Sequence, residues 1–122
     1  MNDRVKQVLV VRKDLNMRRG KENAQCSHAS QAFMVNTYLN GGKPSKEAIE
    51  WYKTGQTKIC VSVNSEKDLL RIYQQAKNKG LEVHMITDAG HTEFNGPTKT
   101  VVAIGPNKES EINLITGGLI LR

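Results

Sequence analysis

The chain is 122 residues long, 38% hydrophobic and 25% charged. That suffices for one compact domain over 1–122 with a self-supporting core, and it excludes a second core of ordinary size, a disordered composition and a collagen-like repeat. Eighteen Lys and Arg against twelve Asp and Glu leave +6 with neutral histidines, an excess that favours phosphate-bearing partners such as RNA or DNA.

The apolar run Val8–Val11 near the start is too short for an export signal, and no stretch approaches the ~20 apolar residues of a membrane span. The expectation is a cytoplasmic protein without a membrane partner. Cys26 and Cys60 are the only cysteines, too few for a disulfide framework, and read as free thiols.

In chain order, the valine-rich run at 6–12 predicts a strand buried on both faces of an α/β sheet. A polar, basic connection with Gly20 follows. Residues 21–39 contain neither proline nor glycine and predict a long helix, stopped by Asn-Gly-Gly-Lys-Pro-Ser. Ser45 is placed to cap a second, shorter helix carrying Ala48, Ile49 and Trp51. KICVSV at 58–63 predicts a second central strand. Ser65 caps a third helix whose apolar face is Leu69, Leu70, Ile72, Tyr73 and Ala76, ended by Lys79-Gly80. A third strand is expected at 81–87 and a fourth over TVVAIGP at 100–106, with a short helix starting near Asn107 or Lys108. This order implies a mixed sheet layered with helices.

Two features point to chemistry. At about 100° per residue, Lys21, Gln25 and His28 fall at roughly 0°, 40° and 340° on one helix stripe. Ala32, Val35 and Leu39 continue that stripe, so its polar start is expected to line a cleft. Asp88 follows the third strand, and α/β sheets gather their sites at the carboxyl ends of strands. If the first and third strands run in the same direction, Lys21 and Asp88 meet on one rim as an ion pair. Read alone, the pattern leaves open solvated first-turn side chains and a loop aspartate bonded to its own turn. Arg-Arg-Gly-Lys lacks the first glycine and the Ser or Thr of a phosphate loop, Glu22 standing there instead. The three histidines and two cysteines show no zinc spacing, so neither a metal nor a cofactor is expected.

KQVLVVRKDLNMRRGKENAQCSHAS, GQTKICVSV, ITDAGHTEFNGPTKTVVAIGP and TGGLILR, in this order and spacing, resemble the archaeal and eukaryotic type of peptidyl-tRNA hydrolase across nearly the whole chain. The resemblance implies a three-layer α/β/α domain with a four-stranded mixed sheet, often a homodimer. Its implied activity is metal-independent hydrolysis of the ester joining a peptide to the 3′ end of tRNA, so that peptidyl-tRNA is the partner. Carried over by position, the functional residues are Lys21, Gln25, His28, Asp88, Thr92 in the D-A-G-x-T loop, and Thr98 before the last strand. The sequence departs from the family pattern at Asn23 (usually alanine), His91 (commonly arginine), Glu93 (commonly glutamine) and the order Gly96-Pro97. The changes at 91 and 93 subtract positive potential from the rim that would face phosphates. They also keep open a different class of function, a non-catalytic RNA-binding or protein-interaction module on the same scaffold.

Overall fold

The computed structural model describes residues 3–91 and 93–122. Its elements are β1 (Val5–Arg12), a single 3₁₀ turn (Lys13–Leu15), α1 (Arg19–Leu39), α2 (Lys46–Lys53), β2 (Lys58–Val63), α3 (Glu66–Asn78), β3 (Val83–Asp88), β4 (Thr98–Lys108), α4 (Glu109–Thr116) and β5 (Ile120–Leu121). The strands form one mixed sheet in the order β3-β4-β1-β2-β5. β1 lies parallel to β2 and antiparallel to β4, and β4 is antiparallel to β3. Hence β1 and β3 point the same way, with their carboxyl ends on one rim.

Side-chain alternation along the two central strands divides the core into layers. Val8, Val10, Val102 and Ile104 face Leu69, Ile72 and Ala76 of α3 and Ile112 of α4. Leu9, Val11, Val101 and Ala103 face the opposite way, against Ala29 of α1 and Met17. Val5 closes the α1–α2 corner with Phe33, Ala48 and Trp51; Phe33 and Trp51 meet edge-on with ring centroids 5.7 Å apart, and the indole donates to Thr57 O at 2.8 Å. This is the expected α/β/α sandwich. Ser45 and Ser65 cap their helices as the sequence predicts, accepting from Ala48 N and Asp68 N at 3.0 Å each.

The sheet differs from the expectation in having a fifth strand. Two residues are too few for a periodic signal, yet β5 pairs antiparallel with Val61 and Ser62, and Arg122 N adds a bond to Cys60 O at 2.9 Å. So short a neighbour leaves β2 only partly covered, and Lys58 and Cys60 are exposed, unlike residues of the fully buried central strand expected there. The third strand starts at Val83, because Leu81 N bonds back to Ala76 O and closes the end of α3. Among the described residues no helix is long and apolar enough to cross a membrane.

The inward face of α1 is also rotated from the expected stripe. Its buried residues are Gln25, Ala29 and Phe33, spaced by four and lying at roughly 40°, 80° and 120° from Lys21. Val35 and Leu39 are exposed at 44% and 73%. Apolar residues occur around much of the helix, so periodicity offered two faces, and packing against the sheet selects the one through Ala29 and Phe33.

Candidate active site

The chain brings Lys21, Gln25 and Asp88 together. Lys21 sits in the first turn of α1, which the chain enters after leaving β1, and Asp88 is the last residue of β3. Because β1 and β3 share a direction, both arrive at the same rim. The Lys21 ammonium donates to Asp88 Oδ1 at 2.5 Å, with the two side chains 16% and 11% exposed. One turn along α1, the buried Gln25 points Nε2 at the same oxygen, 3.4 Å away.

Gln25 is itself held by a residue that the sequence did not single out. Thr100, fully buried on β4, donates its hydroxyl to Gln25 Oε1 at 2.6 Å. An amide that accepts from a hydroxyl through its oxygen must present its NH₂ elsewhere, here to the carboxylate. Periodicity gave no signal for Thr100: regular alternation from Val102 and Ile104 would turn it toward α3, and it reaches α1 because the β3–β4 register shifts between Ile86 and Thr87 and leaves Thr100 as an extra residue on β4. Thr98 pairs with Asp88 in the β3–β4 register, and its hydroxyl donates to Gly96 O at 2.8 Å.

The other carboxylate oxygen, Asp88 Oδ2, accepts from Gly90 N at 2.9 Å. Gly90 has φ +87°, and a β-carbon there would lie 2.4 Å from the Gly96 carbonyl carbon. The turn after β3 therefore requires glycine on conformational and steric grounds alike. The Lys21 bond first, and then the Gly90 amide, hold the Asp88 carboxyl below its ordinary pKa, outweighing the opposing effect of burial; the nearby His91 adds in the same direction. Asp88 is therefore an anion throughout the neutral range and a weak base.

Glu93 supplies a second tie across the rim. One carboxylate oxygen accepts from Arg18 N at 3.3 Å, and the other lies 3.8 Å from the Arg18 guanidinium. Arg18 precedes the first turn of α1, where unsatisfied amides and the helix dipole favour an anion. The acid at this position thus pins the loop to the helix start, an arrangement a neutral glutamine would hold less strongly. The Lys21 ammonium also lies 5.7 Å from the Phe94 ring centroid. Phe94, Leu15, Asn16, Arg18 and Glu93 line an open cleft of about 610 Å³ beside the pair.

The remaining expected residues are more dispersed. His28 is exposed on α1, displaced from the inward face by the rotation described above. Thr92 lies outside the described residues. Among the described residues, His, Cys, Asp and Glu form no group of three or more suited to holding a metal ion.

The sequence profile of the family described as Peptidyl-tRNA hydrolase PTH2 matches residues 5–122. A relative named peptidyl-tRNA hydrolase from Methanocaldococcus jannaschii is 44% identical, covering 96% of this chain and 99% of its own length. Another of the same name from Staphylothermus marinus is 42% identical, covering 98% and 97%, and one from Methanococcus vannielii is 41% identical, covering 94% and 97%. With both the profile and these relatives spanning nearly every residue from the first strand to the last, the chain belongs to the PTH2 family of peptidyl-tRNA hydrolases.

Proposed function

We propose that this chain hydrolyses the ester between a peptide, or an N-blocked aminoacyl group, and the 3′ end of tRNA, in the cytoplasm and without a metal. The observation that carries this reading is the Lys21–Asp88 pair, 2.5 Å apart at the sheet rim beside an open cleft, in a member of this family. Ester hydrolysis needs an oriented water and a preorganised positive group for the developing oxyanion. Asp88, anionic and weakly basic, orients the attacking water and keeps Lys21 charged. The ammonium stabilises negative charge on the carbonyl oxygen or on the departing ribose oxygen. Gln25, locked by Thr100, fixes the carboxylate. Thr92 and Thr98, the latter opening β4, supply orienting hydrogen bonds to substrate, and His28, on the solvent side of α1, is the candidate proton relay. This water route forms no covalent peptidyl-enzyme.

The test is multiple-turnover release from N-acetyl-aminoacyl-tRNA. Many equivalents released per chain support hydrolysis, whereas stoichiometric binding without release would convert the protein into the binding module. Affinity for tRNA should fall as salt rises, because Lys and Arg displace phosphate counterions. The homodimer belongs to the same proposal. Exposed apolar residues on α1, including Met34, Tyr38 and Leu39, support it, and light scattering reads it directly.

A further inference from the structure

Outside the Lys21–Asp88 site, a second cluster forms where the last residue, Arg122, ties the start of α1 to β2. Glu22 and Cys26, four residues apart, stack on one side of α1. Arg122 grips the Glu22 carboxylate through Nη2 at 2.8 Å and Nε at 3.2 Å, while its backbone N bonds Cys60 O at 2.9 Å. Cys60 pairs in register with Leu9, which packs in the same cluster as Cys26, so the β2 thiol lies on the face that α1 covers. These constraints bring both of the protein's cysteines together, the Cys60 position beside Leu9 in the register and Cys26 packed against the same Leu9 cluster.

From this arrangement we propose that Cys26 and Cys60 are a redox modification site, oxidised by a peroxide to an intrachain disulfide that fastens α1 to β2. The division of labour follows from the surroundings. The neighbouring Cys26 thiol lowers the Cys60 thiol to about 7, against the opposing effects of burial and Glu22. The Cys60 neighbour together with burial pushes Cys26 up, so Cys26 keeps its proton. Cys60, exposed on the poorly covered strand, is the attacking thiolate. It displaces hydroxide from the peroxide as the O–O bond breaks, becoming a sulfenic acid. The Cys26 sulfur then attacks the Cys60 sulfur, the S–O bond breaks, and the hydroxyl leaves as water with a proton. Two thiols and one hydrogen peroxide give one disulfide and two waters, with two electrons passing to the peroxide.

Cys26 points about 100° away around α1 from Gln25, so the cluster is separate from the hydrolytic pair and its test does not depend on turnover. The reduced full chain is treated at pH 7 with a slight excess of hydrogen peroxide, denatured in N-ethylmaleimide and weighed intact. The expected product is a monomer lighter by two hydrogen atoms, free of maleimide, whose digest joins the Cys26 and Cys60 peptides; dithiothreitol restores two labelled thiols. In Cys26→Ala the Cys60 sulfenic acid persists and is trapped by dimedone. Iodoacetamide labelling of Cys60 then slows roughly three-fold at pH 7, because the lower thiolate fraction outweighs the greater nucleophilicity of a more basic sulfur. Two maleimide adducts after peroxide, a link between chains, a Cys60 sulfinic acid with Cys26 free, or an unchanged labelling rate in Cys26→Ala would each overturn the proposal.

Discussion

Replacing Lys21 by methionine keeps most of the side chain's length and removes its charge, so it isolates what the ammonium contributes. The lost bond is charge-assisted, 2.5 Å long and largely shielded from water. Asp88 would retain the Gly90 amide at 2.9 Å and the longer Gln25 contact at 3.4 Å, so its carboxylate is not stranded. The stability cost should therefore lie near the low end for a hydrogen bond to a charged group, about 1–2 kcal/mol, small enough for a domain stable by ~5–15 kcal/mol to remain folded. The rate should suffer more. One preorganised donor acting on the developing oxyanion accounts for roughly 10²–10³ in rate, or about 2.7–4 kcal/mol. The assay is single-turnover release from N-acetyl-aminoacyl-tRNA at saturating enzyme, with thermal denaturation of the same preparation. If Lys21 and Asp88 act as one unit, Lys21→Met combined with Asp88→Asn should lose little more than the worse single variant. A folded Lys21→Met protein that releases peptide within about three-fold of the parent rate would remove the ammonium from the mechanism, whatever its distance from Asp88.

Three further outcomes follow from the same network. Because the folded Asp88 pKa is depressed, its contribution to stability is fully present above the unfolded value of about 4 and is lost as pH falls through the lower folded value. Denaturation series from pH 7 to pH 2 should accordingly show the stability gap between parent and Asp88→Asn closing only below about pH 4, and in Lys21→Met the acid limb of the pH–rate profile should move upward. Thr100→Val preserves shape but leaves the buried Gln25 oxygen without its donor, costing about 1–3 kcal/mol in urea denaturation; a smaller drop in release rate than in Lys21→Met is expected, since the amide acts through Asp88. Gly90→Ala drives a β-carbon into the Gly96 carbonyl at a positive φ, so the Asp88 turn must shift. At least a ten-fold loss of release rate should accompany a stability loss of about 1–3 kcal/mol, and parent-like kinetics would show that the turn tolerates displacement.

Elements with strong local rules were legible in the sequence. Two serines placed before helical runs cap α2 and α3, and the valine-rich first strand is buried on both faces because central position and uninterrupted hydrophobicity have the same cause. β5 was not legible: a strand of two residues exists through its hydrogen bonds to Val61 and Ser62, a tertiary fact that leaves almost no local pattern. The expected face of α1 erred for a related reason. Ala32, Val35 and Leu39 offer an apolar stripe as plausible locally as Ala29 and Phe33, and the choice is made by the sheet, whose Leu9, Val101 and Ala103 sit opposite Ala29.

The site divides along the same line. The convergence of Lys21 and Asp88 needed only that one residue open the helix after β1, that the other end β3, and that the two strands share a direction, which sequence order and sheet handedness make a small set of choices. The Thr100–Gln25–Asp88 chain required more, because it depends on how far β4 has slid against β3 and on the rotation of α1. Both are settled by core packing remote from the rim. Turning α1 so that Ala29 and Phe33 face inward carries Gln25 into the interior, where its amide must find partners, and moves His28 out to solvent. Burial of Gln25 and exposure of His28 are thus one event. A polar side chain driven inward by its apolar neighbours is held by a hydroxyl on one side and a carboxylate on the other, and through it the packing of the core fixes the position of the Asp88 oxygen that meets Lys21.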